Sequence, residues 1–270
     1  MRQLFFPSYV VAAALVAALP SHALVLHDNG SPSTGPVASN GAIAPSGTTW
    51  SESRGGTIGW TSSATSSGTR FSLADDFSIA AGTIWTIDSI NLLSYVYDVP
   101  VTQSPIRSVT LRIWSGTPGS ADSTLVWGDY TTNRMTSSQF SDIYRAELGY
   151  ADTSRPIWDN SVATDGLVLG SGSYWVDWTT SYSSGSGKSY GIPVYVDGLD
   201  AKPGSNGLQS MYDPATGATT WTPTVDTGVG AVQDLPFVIH GQIQAVPEPA
   251  SVALFSLGGG ALMFWRRRRA

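Results

Sequence analysis

The chain has 270 residues, no cysteine and a formal net charge of −6 at pH 7. Without thiols there are no disulfide staples, thiolate metal sites or thiol nucleophiles. Charged residues make up only 13% of the sequence, against about 25% in a typical soluble domain, so glycine, serine and threonine carry the solubility.

At the N-terminus, Arg2 precedes an apolar run over residues 10–19, and Ser21-His22-Ala23 puts small side chains where a signal peptidase reads. Residues 1–23 are therefore expected to be a signal peptide cut after Ala23, and the chain to be exported. Between this segment and the C-terminal tail lie residues 24–246, with nine Lys and Arg against nineteen Asp and Glu, a balance near −10. So acidic a body exerts no general attraction on nucleic acid or anionic lipid. Its length suffices for one β domain with a real core.

Residues 24–69 are rich in Gly, Ser, Thr, Pro and Asn and read as an irregular lead-in with one or two edge strands. From residue 70 to 245 the hydrophobic period is two. Val109, Leu111 and Ile113 fall on one face of a strand and Arg112 on the other. Phe237, Ile239 and Ile243 alternate likewise with His240 and Gln242, and Tyr174, Val176 and Trp178 share a third inward face. Further strands are expected over 84–97, 124–130, 143–148 and 192–196. Turn clusters punctuate them, among them Ser115-Gly116-Thr117-Pro118-Gly119 and Lys202-Pro203-Gly204. Many short β runs without helical periodicity predict an all-β body: an antiparallel two-sheet sandwich, jelly-roll-like, in one domain. No repeat at 40–50 residues points to a propeller. The runs Ala74-Asp75-Asp76-Phe77-Ser78-Ile79 and Gly172-Ser173-Tyr174-Trp175-Val176 resemble β-sandwich domains common among surface-anchored bacterial proteins. That resemblance implies a fold and no catalytic residue.

Few residues in the body invite chemistry. Past the signal peptide only His27 and His240 remain, and no Gly-x-Ser-x-Gly elbow supports a nucleophilic serine. Two histidines without cysteine also make a poor zinc site. Gly185-Ser186-Gly187-Lys188-Ser189 resembles the end of a phosphate loop, but Tyr182 stands where its first glycine belongs, and a flexible turn is the better reading. Among the acids, Asp75 with Asp76, or Asp197 with Asp200, are candidate calcium ligands. A glycan hydrolase would need two carboxylates about 5–10 Å apart, which the sequence cannot locate. No cofactor is expected. Nine of the ten tryptophans precede the tail. Trp175 and Trp178 differ by an odd number, so they leave opposite faces of one strand. The expectation is Trp178 inside, with Trp175 exposed beside Asp177 as a sugar-stacking platform.

The tail is the most specific feature. Pro247, Glu248 and Pro249 lead into an uncharged apolar stretch, residues 250–265, followed by Arg266, Arg267, Arg268 and Arg269. The stretch is just short of the roughly 17–25 residues that span a bilayer. Trp265 at the interface and snorkelling arginines would complete a transmembrane helix with its basic end in the cytoplasm. This order of parts, over residues 246–270, resembles the PEP-CTERM sorting signal of Gram-negative bacteria. The resemblance implies transient residence in the inner membrane, processing by an exosortase, and secretion among extracellular polysaccharide. The expected protein is thus a non-catalytic component of the cell surface, extracellular matrix or biofilm. Its expected partners are signal peptidase, exosortase and extracellular polysaccharide, with no nucleic acid. The alternatives are a carbohydrate-binding module and a glycan-acting hydrolase.

Overall fold

A computed structural model describes residues 23–65, 67–182 and 188–246, and every helix-or-strand element in it is a strand. In chain order these are β1 (Leu24–Asp28), β2 (Thr49–Glu52), β3 (Trp60–Thr61), β4 (Arg70–Ile79), β5 (Thr83–Val96), β6 (Ile106–Ser115), β7 (Thr124–Gly128) and β8 (Met135–Ala146). There follow β9 (Pro156–Leu169), β10 (Gly172–Tyr182), β11 (Ser189–Gly191), β12 (Leu208–Tyr212), β13 (Thr219–Pro223), β14 (Val225–Asp226), β15 (Ala231–Val232) and β16 (Phe237–Ala245). Among the described residues no helix is long and apolar enough to cross a membrane. The hydrophobic run of the expected signal peptide and the expected transmembrane segment both lie outside those residues.

One sheet of eight strands runs β1-β16-β5-β9-β8-β2, with β11 and β3 attached beside β5. A second, of six, runs β13-β12-β4-β10-β6-β7, and β14 pairs with β15 alone. Pairing between strands is antiparallel except where β2 runs parallel to β8. The main apolar core draws on both large sheets: Ile87, Ile90 and Leu92 of β5 and Phe237 and Ile239 of β16 meet Leu73 and Phe77 of β4, Val109, Leu111 and Ile113 of β6, and Val176 and Trp178 of β10. Strand alternation supplies these inward sets, because every second side chain leaves the same face. An irregularity in β5 between Ile87 and Ser89 lets Ile87 and Ile90, three residues apart, both face inward.

Trp158 and Trp178 lie fully buried in this core, each with an indole N–H that meets no acceptor among the described residues. An unpaired donor costs about 1–3 kcal/mol. Burying an indole of roughly 150–250 Å² contributes about 4–6 kcal/mol. Apolar burial wins.

The structure departs from the expected strands in three places. Residues 192–196 form no strand; the pairing stops at Gly191, because Pro193 has no N–H to donate. Val194 N donates instead to Asp234 O at 2.9 Å. Residues 143–148 mark only the end of β8, which starts at Met135. Ile243 is 49% exposed rather than inward, although its partner Trp85 is a core residue; β1 pairs with β16 only as far as Gly241, which leaves this end of β16 at the sheet edge. One of the two longest strands, β9, alternates buried and half-buried positions from Trp158 to Thr164, but polar Asn160 and Thr164 occupy two of the buried ones. Its Asn160 is fully buried, donating its amide to Leu92 O, Ser94 Oγ and Trp158 O at 3.0–3.1 Å.

Two buried ionisable groups join segments far apart in sequence. Arg145 of β8 has no carboxylate partner among the described residues and donates to Ile58 O, Thr57 O, Ser51 O and Ser51 Oγ, so it clamps β2 and the 57–58 segment to β8. Burial pushes its pKa down to about 10, which leaves it charged at neutral pH. Asp75 of β4 turns into the core and accepts from Asn29 Nδ2 (3.0 Å), Leu235 N (2.5 Å) and Asp76 N (2.8 Å). It thereby ties the second sheet to the turn after β1 and the approach to β16.

Burial, and then the charge of Asp234 nearby, push the Asp75 carboxyl well above its usual value of 3.8. The folded protein therefore holds this proton more tightly than the unfolded chain. Its contribution to stability is complete below about 3.8 and is lost as pH rises through the raised folded value. Asp75→Asn should remove that loss. In urea unfolding from pH 4 to 7, the variant is expected to gain on the wild type as pH rises; parallel profiles would refute the assignment.

Candidate functional site

The expected sugar platform is not on the surface. Val176 and Trp178 of β10 face the core, so Trp175 and Asp177 do face the other way, as the odd spacing requires. Trp175 is nevertheless only 5% exposed and Asp177 fully buried. Trp175 lies between Asp76 of β4 and Trp114 of β6. The β6–β7 loop closes over this face: Pro118 is buried, and a Cβ on Gly119 would sit 2.6 Å from Trp221 Cδ1 of β13, four places away in the sheet. The expectation of an exposed indole beside a carboxylate fails because a loop covers the outer face.

Beneath that cover Asp177 faces Arg112 across the β10–β6 ladder. The guanidinium is bidentate, Nε to Oδ2 at 2.9 Å and Nη2 to Oδ1 at 2.5 Å, with both side chains fully buried. Trp114 Nε1 also donates to Asp177 Oδ2 at 3.0 Å, and Thr110 and Thr179 hydroxyls accept from Arg112. Asp177 is thus a structural anion and not a free ligand. Arg112 was expected on the outward face, and an outward Asp on a neighbouring strong strand was the available sign of the pair.

From this pair a stack of alternating rings and cations runs along the face. Arg112 Cζ lies 4.1 Å from the Tyr130 ring centroid, and Arg70 Cζ lies 4.3 Å from the same ring. Arg70 Cζ is also 4.6 Å from the ring of Tyr212, its cross-strand partner on β12. Burial, then the charge of Asp177, raise the Tyr130 phenol above its ordinary value, so it stays neutral. None of these three half-buried side chains stands out in the sequence.

The other candidates are placed as follows. Asp75 and Asp76 are neighbours on a strand and leave opposite faces, so they form no common chelate; Asp75 spends its oxygens on N–H donors. Among the described residues no group of three His, Cys, Asp or Glu could hold a metal ion. Lys202 Nζ sits nearby, 3.0 Å from Asp234 Oδ2 and 2.5 Å from Asn29 Oδ1. His27 lies on β1 with its ring against Phe237 at 5.1 Å; burial and then Lys202 push its pKa down. His240 lies on β16 opposite Ser89 of β5. Asp98 and Asp152 line a surface groove of about 690 Å³, where Asp152 accepts from Ser154 N at 2.8 Å.

At the C-terminal end of the described residues, the hydrogen bonding of the body runs through to Val246. β1 pairs with Val238–Gly241 only, so the last residues of β16 bond to β5 alone. Ala245 pairs with Thr83, and Val246 N still donates to Gly82 O at 2.9 Å. Pro247 is the next residue. At the opposite terminus, Ala23 is exposed and precedes the first residue of β1, so cleavage there leaves the strand whole.

Residues 245–269 match the PEP-CTERM protein-sorting motif. No curated protein and no solved structure matches the chain. A PEP-CTERM motif is recognised by exosortase and implies export with transient membrane anchoring. Here the matched PEP-CTERM segment begins inside β16, at a residue already hydrogen-bonded to the body.

Two outcomes follow from this geometry. Asp177→Asn should cost about 3–5 kcal/mol in urea unfolding, because it leaves the Arg112 charge buried without its partner. The pair Arg112→Met with Asp177→Leu should cost less. A chain ending at Val246, ahead of the PEP-CTERM prolines, keeps every described hydrogen bond and should melt cooperatively by circular dichroism. One ending at Leu235 lacks the strand between β1 and β5 and should be rapidly digested by protease.

Proposed function

We propose that this is an exported, non-catalytic protein of the cell surface or extracellular matrix, sorted by an exosortase and retained among extracellular polysaccharide. The observation that carries the reading is the PEP-CTERM match over residues 245–269, joined directly to a body whose hydrogen bonding runs to Val246. Its route has three steps: signal peptidase cuts after Ala23, a transmembrane helix over residues 250–265 lodges in the inner membrane, and Arg266–Arg269 stay on the cytoplasmic side until processing.

The body is read as a jelly-roll sandwich. In support, β1-β16-β5-β9 of one sheet and β4-β10-β6-β7 of the other alternate along the chain as two Greek keys do. A non-catalytic role draws support from groups that chemistry would otherwise use. Asp75, Asp177 and His27 are each committed to internal contacts. The tryptophan argument for a carbohydrate-binding module has lost its exposed indole, and Asp152 in the groove is engaged by Ser154.

Cell fractionation with mass spectrometry of both mature ends tests the reading. The surface form should start at Leu24 and lack Arg266–Arg269. A surface protein that keeps all four arginines would overturn it.

A further inference from the structure

Seven arginines lie in residues 24–246. Six donate to an oxygen of the chain: Arg54 to Val196 O, Arg107 to Ser104 O, Arg112 to Asp177, Arg134 to Asp129, Arg145 to main-chain carbonyls and Arg155 to Glu147. Among the described residues Arg70 donates to none, in a body with about two acids for every base. Yet its guanidinium is held by aromatic contact, with Cζ 4.3 Å from the ring centroid of Tyr130 and 4.6 Å from that of Tyr212. The hydroxyls of those two tyrosines also make no hydrogen bond among the described residues. The next cation in the stack, Arg112, is neutralised by Asp177, so the local excess charge belongs to Arg70.

A half-buried guanidinium resting on aromatic rings uses its faces for them and keeps its N–H donors along its planar edge. That edge matches the two oxygens of a carboxylate. Stacking also removes the rotamer freedom that an arginine loses on binding, which raises affinity without a new contact. Phenol hydroxyls on both sides can exchange hydrogen bonds with alcohols. We propose that Arg70, Tyr130 and Tyr212 form a binding site for a carboxylate-bearing sugar, a hexuronate unit of an extracellular polysaccharide. This rests on the reading that the protein is retained among such polymers.

The charge of the body narrows the ligand further. A balance near −10 repels a densely charged polyanion. Repulsion is screened beyond about 8 Å at physiological salt, so one carboxylate at one guanidinium is still accommodated. The site therefore suits isolated uronates more than long charged runs, and binding should fall only gently with salt. Tyr130 stays protonated, so the site gains no negative charge at neutral pH.

The full chain in non-ionic detergent, titrated calorimetrically with trigalacturonate, its neutral methyl ester and sodium acetate, tests this. Trigalacturonate should bind at least ten-fold more tightly than either comparator. Arg70→Gln should weaken it at least ten-fold with an unchanged melting temperature, and Arg70→Lys should restore part of the loss. Tyr212→Ala, which keeps the charge, should weaken it several-fold. Equal binding of acid and ester, acetate binding as tight as trigalacturonate, no binding to the wild type, or an Arg70→Gln variant that binds like the wild type would each overturn the site. If the mature ends show processing while trigalacturonate fails to bind, only the sugar site falls. If the ends are intact on the surface, the sorting reading falls whatever the titration shows.

Discussion

The strand that lies last in the body, β16, is interior to its sheet, hydrogen-bonded to β1 on one side and β5 on the other. Residues more than 200 apart in sequence must therefore meet before the larger sheet is complete. Leu235 and Asn29, the residues flanking this junction, are both held by the buried Asp75 carboxylate of the opposite sheet. The residues next to Pro247 belong to the strand that completes the larger sheet, so that sheet cannot be whole without them.

Buried polar groups do in this protein what disulfides do in many exported domains. Arg112–Asp177, Arg145 with its carbonyls, and Asp75 with Asn29 each join segments distant in sequence. None is cheap to bury. A buried ion pair often adds little net stability compared with well-packed apolar residues, but it strongly penalises any arrangement that separates its members. Their contribution is to register between strands and sheets more than to overall stability. The same commitment engages Asp75 and Asp177, two acids that looked chemically available in the sequence.

The surface chemistry that remains lies along the outer face of the six-stranded sheet. A loop covers the tryptophans there and leaves a ladder of tyrosine and arginine partly open. At its inner end Arg112 is neutralised by Asp177, and at the outer end Arg70 is not. An indole stripe and a charged stripe can thus share one sheet face with different fates, because the loop from β6 reaches one and not the other.

The sequence by itself determined the sorting tail, whose parts sit at consecutive positions and need no folding to be recognised. It also determined the all-β class and the inward faces of β6 and β10, because alternation over a short strand is a local property. It did not show β9, whose Asp159, Asn160 and Gly166 break the apolar pattern. Asn160 is acceptable in the core only because three acceptors converge on it. Nor did it show that Trp175 is covered, that Asp177 has a partner 65 residues away, or that Arg70 has aromatic neighbours and no acceptor among the described residues. Those facts were decided by the tertiary structure, since cover, charge pairing and stacking depend on which distant segments meet. Periodicity states which way a side chain points and not what it will find there.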